Sequence, residues 1–414
     1  MLKQGQLSEV PSARWFVLAG LWIVYASFGV LVTSIAPLVS DIVTDLDMSH
    51  SAMGSIMGAW QLVYIGAAIP AGMLLDRLGG RHALLIGVLV VALSGLGRSV
   101  AADYWQLLLA VMLFGIGGPI ISSGAPKLVA EYFTGSQRGL AMGIYMTGPA
   151  MGGVASLSLT HAILLPWLDG DWRNVMLFWT ALTVAAGILW WLLAHLFMKP
   201  QAEQLHAQNT PQVTVMKSLL VEPSVRIVLL MSVGVFLYNH GLNNWLVELL
   251  RSGGMEARNA GYWATLPTLV GIAGSLLIPR LATPERRFKI LAALCILAFV
   301  ASVLLQYTET LPLTVGLIMQ GIARSSMMTV LILTLVELPG IGEQRAGVAS
   351  GLFFAAAEVG GVLGPLGIGI SYDMSGAFTH SLVAMSGVAL LLFWGTVNLQ
   401  KQVRTSERSG HQLH

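Results

Sequence analysis

Charge is what this sequence has least of. Lys and Arg number 22 and Asp and Glu 20 among 414 residues, so charged side chains make up 10% of the chain. A soluble domain carries about 25%, which excludes an ordinary water-covered globule. The net charge of +2 excludes a basic nucleic-acid binder. Cysteine occurs once, at Cys295, so no internal disulfide framework can form. No Gly-x4-Gly-Lys-Ser/Thr loop is present, which excludes ATP as the driving force on this chain. No metal-ligand spacing and no nucleophile–base arrangement appears, so no metal, no cofactor and no enzymatic activity are expected. Met1 to Ser12 is polar and the first apolar run is too long for a leader's core, so no cleavable signal is expected. A signalling receptor would be expected to carry a larger soluble domain.

Apolar residues fill the space that charge leaves. They make up 55% of the chain, and its mean hydropathy is +0.74. A helix crossing a bilayer needs about 20 mostly apolar residues. Runs of that length fall at about 14–38, 51–74, 83–101, 104–128, 138–164, 174–198, 225–250, 258–280, 287–306, 312–335, 346–370 and 379–400. Lipid offers no partner to backbone polar groups, so each must be helical. The fold class is therefore an all-α membrane protein with twelve transmembrane helices. An even number of spans puts both termini on one side. With the N-terminus inside, 17 of the 22 Lys and Arg fall on the cytoplasmic side, and Arg98, Arg173, Arg251 and Arg258 fall outside. That bias orients the chain with both termini cytoplasmic. One base, Arg324, and one acid, Glu358, are left inside the membrane.

The longest polar stretch, roughly Lys199 to Pro223, divides the spans six and six. The expected organisation is a tail at 1–13, a six-helix bundle at 14–198, a cytoplasmic linker at 199–224, a second bundle at 225–400 and a tail at 401–414. A 6+6 division predicts an internal repeat, and one is visible. The fifth span carries Arg138 and Gly143, then Gly148-Pro149-Ala150-Met151-Gly152-Gly153. The eleventh carries Arg345 and Gly351, then Gly360-Gly361-Val362-Leu363-Gly364-Pro365. An acid precedes each, Glu131 before Arg138 and Glu337 before Arg345.

The turn between the second and third spans reads Gly72-Met73-Leu74-Leu75-Asp76-Arg77-Leu78-Gly79-Gly80-Arg81. Its Gly72-x-x-x-Asp76-Arg77-x-Gly79-x-Arg81 pattern resembles the signature loop of the major facilitator superfamily. Gly148-Pro149-x-x-Gly152-Gly153 resembles the fifth-helix motif of that superfamily's antiporters, and Glu131 with Arg138 resembles a charge pair at its cytoplasmic gate. Two departures stand out. Gly79-Gly80-Arg81 replaces the usual Gly-Arg-Lys run. Val111 stands where many proton-coupled members carry an arginine, so their coupling scheme does not carry over directly. A looser likeness, to the cyanate and nitroimidazole transporter group, rests on Gly143-Ile-Tyr145, Asp171-Trp172-Arg173, Tyr238 and Trp245. The resemblance implies two pseudo-symmetric six-helix halves that alternate access to a central site. It implies a chain that works as a monomer in a bacterial cytoplasmic membrane, with a small-molecule substrate and protons as partners.

The charged residues then divide into three groups. Asp76, Arg77, Arg81, Glu131 and Arg138 lie at the inner surface of the first half, with Glu337 and Arg345 as counterparts in the second. They read as a gate, and Asp76 in particular opposes the topology signal and could face the positive end of a helix near Arg345. Arg286 and Arg287 read as orientation charges only. Lys127 reads as a snorkelling residue.

Near the midplane, a charge by default marks a function. Arg324 could bind an anionic substrate while Glu358 carries the coupling proton; alternatively the two form a permanent structural ion pair. The seventh span adds Tyr238, Asn239, His240, Asn243, Asn244 and Trp245. Asn239 and Asn243 share a face at i, i+4, and the resemblance makes this a cavity-lining helix, although interhelical hydrogen bonding would explain the same residues. Trp22, Tyr25, Trp60, Gln61, Tyr64, Tyr145 and Thr147 are the mid-membrane polar and aromatic residues of the first half. Trp22, Tyr25, Tyr64 and Tyr145 are candidates to wall a substrate body, with Tyr238, Asn239, His240 and Asn243 opposite; packing is the competing explanation for each aromatic. The expected function is secondary active transport of a small anionic organic solute by proton symport. The alternative is proton-antiport efflux of apolar or cationic compounds.

Overall fold

A computed structural model describes residues 13–198, 212–338 and 341–411. The expected N-terminal tail and the first half of the expected linker, with Lys3, Lys199, Pro200 and Pro211, lie outside the described residues. In chain order the helices are α1 (Ala13–Thr33), α2 (Val39–Asp45), α3 (His50–Ser99), α4 (Tyr104–Tyr132), α5 (Gly135–Leu159), α6 (Leu165–Trp167) and α7 (Trp172–Phe197). They continue with α8 (Gln212–Val221), α9 (Pro223–Ser252), α10 (Ala257–Leu281), α11 (Arg287–Leu304), α12 (Thr310–Val336), α13 (Gly342–Ser375) and α14 (Thr379–His411). A short 3-10 turn at Ala36–Leu38 links α1 to α2, and a π turn at Thr160–Leu164 links α5 to α6.

Eleven helices among the described residues are long and apolar enough to cross a membrane. The apparent shortfall from twelve is α3. Its 50 residues would reach about 75 Å at 1.5 Å per residue, more than twice a hydrocarbon core of about 30 Å. The helix breaks at one residue, Gly79, with φ 70 and ψ 162. Only glycine takes that conformation without strain. The expected charged turn is thus narrower than the sequence suggested: the residues on both sides of Gly79 are helical, and α3 supplies the second and third spans. Two other boundaries differ. Part of the expected linker is the helix α8, and α14 carries on through the expected start of the C-terminal tail to His411.

The repeat is a packing repeat. A methyl on Gly152 would lie 2.0 Å from the Ala26 carbonyl oxygen, and one on Gly360 would lie 1.9 Å from that of Val233. Neither distance leaves room for a side chain, so α5 lies directly on the backbone of α1, and α13 on that of α9. Gly29 against Pro149 and Gly364 against Leu237 extend the two seams, at 2.1 and 2.4 Å. Small residues permit this close approach where no hydrophobic effect between helices is available.

The chain forms two compact units. Of the described residues, one contains 13–42 and 62–198, the other 43–61, 212–338 and 341–411. The division is not the simple half-and-half split at the linker, because the start of α3 belongs with the second unit.

Candidate functional site

In the second unit, Arg324 sits near the middle of α12 and is 9% exposed. Its Nη1 donates to Asn243 Oδ1 on α9, and its Nη2 donates to Thr268 Oγ1 on α10 at 3.4 Å. Both acceptors are neutral. Glu358, near the middle of α13, is 6% exposed, and its Oε2 is buried with no hydrogen-bond partner. Arg324 and Glu358 form no ion pair with each other among the described residues, so the permanent structural pair entertained above is absent.

His240 meets Gln61, whose Nε2 lies 3.3 Å from His240 Nδ1. Rings of Trp60 and Phe236 flank the imidazole, with centroids at 6.0 and 5.4 Å. Asn239 is half-buried one turn before Asn243. Asn244 instead bonds the His240 carbonyl of its own helix at 2.8 Å.

Tyr238 does not share this setting. It is fully buried, and its hydroxyl donates to the Ala298 carbonyl on α11 at 3.0 Å while accepting from Ser302. Those bonds hold α9 to α11 and occupy the group that a substrate would need. The reason is angular: one residue along a helix turns the side chain by about 100°, so Tyr238 and Asn239 face different neighbours.

Three polar residues here carry no site role from sequence pattern alone. Thr268 completes the guanidinium's contacts. Gln61 is fully buried beside His240. Gln320 stands four residues before Arg324, fully buried, with both amide atoms unpartnered. The i, i+4 spacing of Gln320 and Arg324 was readable; the role of Thr268 depends on which face of α10 turns inward.

In the first unit the aromatic candidates gather. The rings of Tyr25 and Tyr145 have centroids 5.5 Å apart, and Tyr25 also meets Phe28 at 5.6 Å. Tyr64 and Ser122 share a hydroxyl–hydroxyl bond of 2.7 Å. Trp22 donates to Thr147 Oγ1 at 2.9 Å, a bond from α1 to α5. Its ring also borders an apolar hollow of about 480 Å³ lined by Ile23, Met151, Leu182 and Leu189.

The expected gate residues are arranged differently from expectation. Asp76 pairs with Lys127 at 2.7 Å, so Lys127 has a specific partner across α3 and α4. Arg81 donates to His195 Nδ1 at 2.7 Å. Glu131 and Arg138 are exposed and make no ion pair with each other among the described residues; they stand on either side of the break between α4 and α5. Arg77 and Arg345 are exposed at the helix surface. Arg287 is not an orientation charge alone, since it donates to Glu337 Oε2 at 2.6 Å.

Arg98 is a further correction. It counts among the outer-side charges at the end of the expected span 83–101, yet it is 1% exposed rather than solvated. Its Nη1 donates to the Leu31 carbonyl at 2.6 Å and to Ser34 Oγ at 3.3 Å, and its guanidinium lies over Phe114.

The sequence profile of the Major Facilitator Superfamily matches residues 21–365. The chain belongs to that superfamily and is a membrane transporter of its type. It is 24% identical over 385 residues to the uncharacterized transporter YycB of Bacillus subtilis, covering 92% of each chain. It is 22% identical over 377 residues to the hexuronate transporter of the same organism, covering 86% of each. It is 26% identical over 374 residues to the multidrug resistance protein MdtH of Aeromonas hydrophila, covering 87% of each. Its fold matches the crystal structure of a bacterial homolog of the human lysosomal transporter Spinster, with a TM-score of 0.76 at 18% identity, over 96% of this chain and 98% of that one.

Proposed function

We propose that the protein is a proton-coupled carrier of a small organic anion, working by alternating access, with Arg324 as the anion contact. The observation that carries this reading is the state of Arg324: a buried cation in the middle of a membrane helix, held among the described residues by neutral oxygens. A cation in that place is costly to keep. Asn243 and Thr268 orient the guanidinium without neutralising it. A carboxylate substrate would supply the missing charge and match the planar fork with two parallel bonds. Asn239 and Gln320 offer hydrogen bonds to a hydroxylated body. A hexuronate, which one relative's name gives as its substrate, has that chemistry.

Glu358 is the proton carrier in this reading. It lies buried on α13 with no ion-pair partner among the described residues, and a proton removes the charge that the membrane penalises. Both termini face the cytoplasm of a bacterial inner membrane, and one chain suffices.

The test is binding and flux with purified protein. In a thermal-shift panel of uronates and aromatic acids, an anion is expected to stabilise the wild type. Arg324→Ala should weaken that binding by about 10- to 100-fold, as expected for losing about 1.5–3 kcal/mol of charged hydrogen bonding. Glu358→Gln should leave binding in place and remove the pH dependence of uptake into proteoliposomes. A second reading, proton-antiport efflux of apolar or cationic compounds, is favoured by the uncompensated Glu358 and by the likeness to MdtH. It prevails if lipophilic cations stabilise the protein, Glu358→Gln abolishes that effect and Arg324→Ala does not.

A further inference from the structure

The segment His50–Gln61, the first part of α3, packs along α13 inside the second unit. Methyls on Gly54 and Gly58 would lie 2.4 Å from the Pro365 oxygen and 3.0 Å from the Val362 oxygen; one on Gly369 would lie 2.3 Å from the His50 oxygen. Far from Gln61, the segment is tied by Asp373. Its carboxylate accepts from the His50 and Ser51 backbone N–H groups at 3.0 and 2.8 Å, a charge-matched cap on a helix start.

The end at Gln61 is organised around Gly361. A methyl placed there would stand 2.8 Å from Glu358 Oε2, 3.0 Å from Gln61 Cγ and 3.5 Å from His240 Cδ2. Three polar side chains from three helices therefore converge on one glycine. The Gln61 amide nitrogen faces His240 Nδ1; an amide nitrogen only donates, so Nδ1 accepts and the imidazole proton sits on Nε2. That orientation leaves Gln61 Oε1 as an acceptor, and it is buried with no partner. Glu358 Oε2 is in the same condition. An ionised carboxylate is also only an acceptor. Both acceptors belong to side chains that border Gly361, and two buried acceptors without a donor are a costly arrangement. A proton on Glu358 changes its sign: the carboxyl O–H can donate to Gln61 Oε1, and the chain Glu358, Gln61, His240 becomes consistently directed.

We propose that the proton on Glu358 fastens the segment His50–Gln61 to α9 and α13, with Gln61 as the positioning residue, and that losing this proton releases the segment. The proposal rests on the reading of Glu358 as the proton carrier and adds what the proton does. The other titratable groups near Glu358 are His240 and Tyr238 on α9 and Arg324 on α12. Tyr238 is committed to Ala298, and Arg324 to Asn243 and Thr268. The segment itself contributes only His50, at the Asp373 end. Arg324 makes no ion pair with Glu358 that could substitute for the proton.

The experiment uses the full chain in lipid nanodiscs, with Cys295→Ser and spin labels on cysteines replacing Ser49 and Met374. Across a pH series, the wild type is expected to show a short distance at acid pH. A longer one should grow as pH rises, the ratio changing by up to about tenfold per pH unit, the limit for one linked proton. Glu358→Gln, neutral throughout and able to donate, should stay short at every pH. Gln61→Leu should show the long distance even at acid pH. If Glu358→Gln does not fold, Gly361→Ala serves, since its methyl occupies the space the bond needs; it should also stay long. A wild-type distance independent of pH, or a Glu358→Gln or Gly361→Ala response like the wild type's, overturns the proposal. Proton uptake driven by D-glucuronate into dye-loaded proteoliposomes tests the coupling reading separately. If the distances respond to pH and no anion tested moves protons, the fastening stands and the symport reading fails; if protons move and the distances do not respond, the reverse holds.

Discussion

At the scale of single residues, charges separate into those the sequence announced and those it disguised. Arg324 and Glu358 were legible because each interrupts a long apolar run. Arg98 was not, because it stands at a span's end, where arginine reads as a loop charge. Its value comes from a long-range contact, the bonds from Nη1 to Leu31 and Ser34, which no local pattern encodes. Losing both should lower stability. Arg98→Ala is expected to cost about 2 kcal/mol or more, given about 1.5–3 kcal/mol for a bond to a charged group. Arg98→Met, which keeps much of the volume over Phe114, should cost less. Thermal unfolding in detergent measures both, and equal stability of Arg98→Ala and wild type would contradict the assignment. Partner choice was equally hidden. Asp76 stood out as an acid among bases, but its pairing with Lys127, 51 residues later, follows only from how α3 and α4 pack.

At the scale of elements, the repeated glycines divide cleanly into two kinds. Gly152 and Gly360 are where one helix lies on another's backbone, whereas Gly143 and Gly351 have nothing within 4 Å of an added methyl. The sequence showed all four as one motif with equal spacing. It could not say which of each pair touched a neighbour, because that depends on the rotation of the helix. Gly360→Ala is expected to destabilise by about 1–3 kcal/mol, the range for overpacking a close contact. Gly351→Ala is expected to leave the melting temperature within error of wild type. A comparison of melting curves decides it, and a reversed order would mean that α13 is rotated from its described position. The helix break was similarly half-legible. The cluster of glycines marked where α3 must turn, and only the backbone shows that Gly79 alone does it.

At the scale of the whole molecule, the class was legible from composition, since no other architecture suits so little charge and so many apolar runs of one length. The positive-inside count adds an orientation that can be checked directly. Reporters fused to the N-terminus, to the C-terminus and into 201–210 are expected to report the cytoplasmic side in all three cases. A periplasmic reading at either terminus would mean that Gly79 does not divide α3 into two crossings. What composition and periodicity could not reveal is the allotment of residues to compact units. The polar link suggested a boundary in the middle of the chain, and the packing of residues 43–61 with the second unit does not respect it.

That allotment has a consequence for how the chain is put together. Residues 43–61 are encoded in the first repeat and packed in the second, like the exchanged arm of a domain-swapped dimer whose two copies have been joined end to end. The second six helices taken alone would bare the glycine-lined face of α13 and leave Asp373 without its helix start. During synthesis the arm emerges before the surface it will cover exists. It must wait in the membrane for the last third of the chain, so the protein's assembly closes late and from its far end.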